Sequence, residues 1–126
     1  MGRKGKVIHM PGKLITLDFG SRILEAELFS SAIADRFATG LPYQVSLTQW
    51  GGELYGSIGI DLGEQNPVPD IPAGGIAYTN NGNFICVFFG QTPAWPVEHI
   101  GQIIGRQWHY LAENRSIASV TIKAKQ

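Results

Sequence analysis

The chain has 126 residues with ten basic and ten acidic side chains, so its formal net charge is zero. This length predicts a single domain over residues 1–126, and the balanced charge predicts neither a nucleic-acid partner nor a membrane partner. One cysteine excludes an intramolecular disulfide, and no apolar segment resembles a secretory signal or a membrane span, so we expect a cytoplasmic protein whose residues 1–5 are frayed.

The first half of the chain is predicted to form short strands. Sixteen glycines and seven prolines divide the sequence into brief apolar runs, which is typical of a mainly β protein. Residues 6–10 and 13–19 are the first candidates. Residues 22–28 return antiparallel to the second candidate after a glycine-containing turn, and their apolar side chains alternate with glutamates, which predicts one buried face.

A short helix and two more strands follow. Ser30 or Ser31 is suited to cap the helix, and the Gly and Pro of residues 40–42 end it. Residues 44–50 alternate like a strand. Residues 53–60 are also strand-like but contain two glycines, which suggest a bulge or close packing.

The second half is organised around a predicted hairpin. Three prolines in residues 61–75 indicate a long connection, and such loops are often functional. The polar tip at residues 80–82 predicts a tight turn, so residues 76–79 should pair with residues 84–89. The latter run is apolar on both faces, which predicts core on one side and covering structure on the other. Further strands are predicted at residues 97–104 and 119–125, with a helical turn between them.

Cys86 lies in the middle of that two-faced strand. No lysine or arginine is near it in sequence, and no helix N-terminus is predicted beside it to lower its pKa. The interpretation is a buried, unreactive thiol that packs like a small hydrophobic side chain. The alternative, a reactive thiol in an active site, predicts fast labelling by a thiol reagent at neutral pH.

Most sequence patterns for catalysis and metal binding are absent. The histidines and Cys86 show no pairing at metal-ligand spacing, and the acidic residues at 61–70 lack the spacing of a calcium loop. The glycines between positions 51 and 63 match neither a phosphate-binding loop nor a dinucleotide fingerprint. We therefore predict no metal, no cofactor and no assigned catalytic residue.

The segment W-G-G-E-L-Y is the first candidate binding cluster. If Glu53 and Tyr55 share a strand face, a carboxylate and a phenol project together beside Trp50. In the alternative interpretation, Trp50 and Tyr55 pack in the core and Glu53 is either solvated or hydrogen-bonded to the turn.

The segment T-P-A-W-P-V-E-H is the second candidate cluster. Trp95 lies on a proline-stiffened loop, which makes it a suitable ligand platform or a cover over one barrel end. His99 follows, and it either titrates near neutral pH or satisfies a backbone group.

With these segments identified, the chain resembles small prokaryotic proteins with a cyclophilin-like fold. The resemblance rests on L-P-Y, W-G-G-E-L-Y, N-P, P-A-G-G-I-A-Y and F-I-C-V-F-F-G-Q-T-P, in that order, over roughly residues 13–104. It implies a closed β-barrel of about eight strands with one or two short helices. Gly74 and Gly75 stand where the pattern has glycine and aspartate.

The resemblance also implies where a ligand would bind. By similarity to cyclophilins, Asn83 stands at their site glutamine, Ile85 at a site phenylalanine, and Trp95 and His99 at the last two site residues. The candidate ligand-binding residues are Trp50, Glu53, Tyr55, Thr79, Asn83, Ile85, Trp95 and His99.

Tyr55 and Gly56 stand where cyclophilins carry their arginine, so we expect no efficient prolyl isomerase activity. The leading hypothesis is a binding module for a small molecule or an extended peptide, with a proline-containing peptide as a candidate partner. The alternatives are an enzyme, either a weak isomerase or an acid–base catalyst that uses Glu53 with Tyr55 or His99, and an oligomerisation or interaction domain. The sequence leaves the oligomeric state open.

Overall fold

The computed structural model describes residues 12–126 of the chain. This part contains nine antiparallel strands and two short helices, joined by turns and loops. The predicted strand at residues 6–10 and the frayed residues 1–5 lie outside the described residues. The strands are β1 (Lys13–Asp18), β2 (Ile23–Leu28), β3 (Tyr43–Ser46), β4 (Thr48–Trp50), β5 (Glu53–Ser57), β6 (Gly75–Thr79), β7 (Phe84–Phe88), β8 (Glu98–Ile103) and β9 (Ser119–Ala124). The helices are α1 (Ala32–Thr39) and α2 (His109–Glu113). Neither helix is long and apolar enough to cross a membrane.

The strands form one sheet in the order β3-β9-β1-β2-β8-β6-β7-β5-β4, which curls into a nearly closed barrel. At the seam, β5 approaches β3 so closely that a Cβ on Gly56 would lie 2.0 Å from the carbonyl oxygen of Ser46. The predicted mainly β barrel with one or two short helices is therefore confirmed.

The barrel has nine strands in the described residues, whereas the resemblance implied about eight. Residues 44–50 were predicted as one strand, but they form parts of two strands separated at Leu47. The backbone N–H of Leu47 donates to the carbonyl of Ala118. This hydrogen bond extends the pairing of β3 with β9 by one residue beyond each strand. After this residue the chain crosses to the opposite edge of the sheet, where β4 pairs with β5.

The barrel interior is filled by the inward-facing side chains of the strands and by one face of α1. Ser31 caps this helix, since its hydroxyl accepts from the backbone N–H of Ala34. Phe37 stacks on Tyr43 at a centroid distance of 4.5 Å, and the Tyr43 hydroxyl donates to the Phe37 carbonyl. The helix thus packs onto the core as a fixed unit.

A second, smaller apolar cluster lies on the outer face of β6 and β7. Its buried members are Ile71, Ala77, Cys86, Phe88 and Val97. Strand β7 contributes to both clusters because alternate side chains point to opposite faces of the sheet. The prediction of a strand covered on both faces is thus confirmed, as is the hairpin between β6 and β7.

The long connection between β5 and β6 is held in place by two buried side chains. The Tyr78 hydroxyl accepts from the backbone N–H of Leu62 over 2.8 Å and lies 2.8 Å from the carbonyl oxygen of Ile60. Glu98 accepts from the backbone N–H groups of residues 65 and 66, each over 2.9 Å. Hydrogen bonds therefore fix this connection to β6 and β8, and its Ile71 side chain packs in the outer cluster.

Candidate ligand-binding cavity

A cavity of about 320 Å³ opens on the outer face of the sheet, over β5 and β7. The loop that follows β7 forms its opposite wall. The lining residues are Trp50, Glu53, Tyr55, Thr79, Phe84, Cys86, Phe88, Pro93, Ala94, Trp95 and Val97. Three buried members of the outer apolar cluster, Cys86, Phe88 and Val97, thus contribute to the cavity lining.

Strand alternation places the floor residues together. Glu53 and Tyr55 lie two positions apart on β5, so they share a face, as the sequence predicted. In the register between β5 and β7, Tyr55 pairs with Cys86 and Glu53 pairs with Phe88. The Tyr55 ring also meets the Phe84 ring edge-on, with 5.2 Å between the ring centroids.

The two glycines of W-G-G-E bring Gln91 beside Glu53. Gly51 has a φ of 60°, and a Cβ there would lie 2.1 Å from the Gln91 side-chain oxygen. The backbone N–H of Gly52 donates to that oxygen over 2.7 Å. The Gln91 amide nitrogen then points to the carboxylate of Glu53, 3.4 Å away.

Glu53 is a buried acid, with only 7% of its surface exposed. Burial raises the pKa of its carboxyl group, and hydrogen bonds from the Cys86 thiol and the Gln91 amide offset part of that rise. No lysine, arginine or histidine is among the described residues that line the cavity. The alternative of a core Trp50 and a solvated Glu53 is wrong, because Trp50 is 55% exposed and Glu53 is buried. Its third element holds in part, since Tyr55 packs against the outer apolar cluster.

Cys86 is buried in the cavity floor, as predicted for a thiol in the middle of a two-faced strand. Burial raises its pKa well above the ordinary value, and the neighbouring Glu53 carboxylate raises it further. A thiol with a raised pKa is a poor nucleophile. It is suited to donate a hydrogen bond to Glu53.

Two indoles stand at the mouth of the cavity. Trp95 is 42% exposed, and its ring N–H donates to the hydroxyl of Thr79 over 3.1 Å. Trp50 projects from the end of β4 near the W-G-G turn. Both rings leave a large apolar surface open to an occupant.

Three candidate residues, Asn83, Ile85 and His99, do not line the cavity. Ile85 faces the barrel interior because it alternates with Phe84 and Cys86. Asn83 has a φ of 57° in the hairpin turn, and its side-chain oxygen lies 3.1 Å from the Tyr78 hydroxyl.

His99 packs elsewhere on the barrel. Its ring lies edge-on to Phe29, with 4.9 Å between centroids, and its buried Nε2 has no hydrogen-bond partner in the described structure. Burial lowers the pKa of this histidine. Within residues 12–126, no three histidine, cysteine or acidic side chains come together as a metal site.

Sequence reasoning did not assign a ligand-binding role to several lining residues. These are Phe84, Cys86, Phe88, Pro93, Ala94 and Val97. The signal for Phe84 and Phe88 was present, since both share the outer face of β7 with Cys86. Gln91 carried no local signal, because its partner Glu53 is 38 positions away.

The cyclophilin-like family model matches residues 13–123. The chain belongs to the cyclophilin-like family. This confirms the resemblance read from the sequence and places the cavity on a cyclophilin-like barrel.

Two solved structures share this fold. A hypothetical protein from Archaeoglobus fulgidus, known from a solution structure, has a TM-score of 0.70 and 26% identity, and the match covers 99% of this chain and 100% of that protein. The structure of McbB in complex with tryptophan has a TM-score of 0.74 and 18% identity. That match covers 88% of this chain but only 44% of McbB, so the likeness shows the fold alone. No curated protein matches the chain significantly.

Proposed function

We propose that this cyclophilin-like protein is a binding module whose outer cavity holds a small molecule with an apolar body. The observation that carries the proposal is a walled cavity of about 320 Å³ with five aromatic side chains and one buried carboxylate. Pockets for small ligands start at roughly 300 Å³ and combine apolar walls with a few polar groups. This cavity suits an occupant of one or two rings.

A small molecule suits the cavity better than an extended peptide. A peptide needs a groove that continues along the chain direction, with backbone partners on one side. The Trp95–Thr79 hydrogen bond crosses from the loop to β6 and bounds the cavity on one side. McbB, which shares the fold, has been solved with tryptophan. We therefore include tryptophan among the first compounds to test.

No cationic donor lines the cavity in the described structure, which disfavours prolyl isomerisation. Catalysis of that reaction needs a donor to the prolyl nitrogen as amide resonance is lost, against a barrier of about 20 kcal/mol. By the resemblance to cyclophilins, Tyr55 stands at the position of their arginine, and its neutral hydroxyl is a weaker donor than a guanidinium. An ionised Glu53 accepts hydrogen bonds but does not donate them. We propose binding without efficient isomerase activity.

An acid–base enzyme is the second candidate, and one observation favours it. Glu53 combines a raised pKa with a position in a cavity, which is common among catalytic acids and bases. Tyr55 is the available partner, since His99 lies outside the cavity lining. NMR titration of Glu53 decides this point, because an ordinary pKa would count against catalysis.

A thermal-shift screen of metabolites and proline-containing peptides tests the binding proposal. A ligand at one hundred times its Kd adds about 2.7 kcal/mol, which moves Tm by several degrees. The shift should disappear in Trp95→Ala and Trp50→Ala. It should persist in Ile23→Ala, which removes an exposed apolar side chain outside the cavity. Ligand shifts that survive both tryptophan variants would contradict the proposed site.

A further inference from the structure

We propose that the cavity binds a small protonated amine with an aromatic or other apolar body, and that Glu53 pairs with its ammonium group. This inference rests on the proposed function, because it names the ligand class of the same cavity. It goes further by assigning one residue to one charged group of the ligand.

The first argument is the charge of the cavity. Glu53 is its one ionisable carboxylate, and the described lining residues offer no cation to balance it. Its polar neighbours, the Gln91 amide at 3.4 Å and the Cys86 thiol, are neutral. Burying a carboxylate without a counter-cation costs free energy. An ammonium group of the ligand would supply that counter-charge.

The second argument is the wall around this carboxylate. Five aromatic side chains line the cavity: Trp50, Tyr55, Phe84, Phe88 and Trp95. The face of an aromatic ring carries partial negative charge and attracts a cation. Rings and carboxylate thus favour the same ligand, which has positive charge at one point and apolar surface elsewhere.

The same features disfavour the other ligand charges. An anion would be repelled by the Glu53 carboxylate, and the aromatic side chains offer it no compensating positive charge. A neutral ligand would gain the apolar contacts but would leave the carboxylate without a counter-charge. Cation, neutral compound and anion should therefore bind with decreasing affinity.

Three compounds of matched shape separate these cases: 2-phenylethylamine, 2-phenylethanol and 3-phenylpropionate. Their affinities are measured by isothermal titration calorimetry at pH 8. The proteins are the wild type, Glu53→Gln and the control Glu113→Gln, which makes the same change on an exposed residue outside the cavity lining. We expect the amine to bind at least about tenfold more tightly than the alcohol in the wild type and in the control. In Glu53→Gln this preference should disappear.

A second measurement uses the wild type alone and does not depend on the variant folding. Protonation of Glu53 removes the counter-charge, so amine affinity should fall as the pH is lowered through its raised pKa. Alcohol affinity should not follow this change. Tyr55 and Cys86 are the other titratable side chains on the cavity wall. A protonated phenol and a protonated thiol are both neutral. A fall in amine affinity at acid pH therefore reports on Glu53.

The outcomes separate this inference from the proposed function. If amine and alcohol bind equally in the wild type, and Trp95→Ala weakens both, small-molecule binding stands and the role of Glu53 is overturned. Tightest binding of the propionate would overturn it as well. If no compound of the series or of the wider screen binds, both proposals fail. If only compounds from the wider screen bind and none of them is a cation, the inference is contradicted. If the compounds that bind are cations and Glu53→Gln abolishes their binding, the inference is supported.

Discussion

The indole N–H of Trp95 donates to the hydroxyl oxygen of Thr79 over 3.1 Å, and this contact joins the loop after β7 to the end of β6. The same hydroxyl oxygen accepts from the backbone N–H of Asn81 in the hairpin turn. One buried side chain therefore positions both the cavity wall and the adjacent turn. This contact holds the Trp95 indole against the mouth of the cavity.

Thr79→Val should loosen the cavity wall while keeping its volume. Loss of the acceptor leaves the indole N–H and the turn N–H without this partner, so the free energy of unfolding should fall by about 0.5–1.5 kcal/mol. The Trp95 indole signal in an NMR spectrum should shift or broaden. Thr79→Ser keeps the hydroxyl and should retain the wild-type signal. An unchanged signal in Thr79→Val would contradict the role of this bond.

Glu53→Gln should stabilise the free protein at neutral pH. Because burial raises the folded-state pKa of Glu53 above its unfolded value, its favourable contribution is complete below about pH 4.5 and is lost as pH rises through the folded-state pKa. The variant has no such loss. Urea unfolding of both proteins should therefore give a stability difference that grows in favour of the variant between pH 4.5 and pH 7. A difference that does not change with pH would show that Glu53 has an ordinary pKa.

Glu98 should be required for the long connection between β5 and β6. Glu98→Ala removes the acceptor of the N–H groups of Gln65 and Asn66, so we expect a loss of about 2–3 kcal/mol in the free energy of unfolding. Hydrogen exchange of those two amides should also become faster. Glu98→Gln retains an acceptor oxygen and should lose less. Equal losses in the two variants would argue that packing, and not hydrogen bonding, holds the loop.

Cys86 should react slowly with thiol reagents at neutral pH. The thiol is buried and its pKa is raised, so little thiolate is present and access requires local opening. We expect labelling at least about 100-fold slower in the native protein than in urea. Comparable rates in the two states would identify an accessible, reactive thiol.

A proline-peptide assay should show no efficient isomerase activity, since the cavity offers Tyr55 in place of a guanidinium. The rate should remain close to that of the uncatalysed reaction. Catalysis that both Tyr55→Phe and Trp95→Ala abolish would contradict this expectation and favour an enzyme at the same site.

Local patterns in the sequence predicted much of the fold. The hairpin tip and the two-faced β7 follow from turn residues and apolar alternation, which act over a few positions. The shared face of Glu53 and Tyr55 follows from the same period of two. These features need no information about distant parts of the chain.

The features that sequence reasoning missed depend on register and on distant contacts. The similarity to cyclophilins places Asn83 and Ile85 at site positions only approximately, and a shift of one position on a strand moves a side chain to the opposite face of the sheet. The position of His99 follows a register irregularity between β6 and β8, where Ile76 pairs with Gly101 but Ala77 pairs with His99. The partnership of Gln91 with Glu53 required the folded barrel.

The most direct test of small-molecule binding follows the three indole N–H signals while a stabilising compound from the screen is added. Trp50 and Trp95 line the cavity, whereas Trp108 packs against the barrel core and serves as an internal control. We predict that the Trp50 and Trp95 signals shift in a saturable way and that the Trp108 signal does not. Saturable binding that leaves Trp50 and Trp95 unchanged would contradict the assignment of this cavity as the binding site.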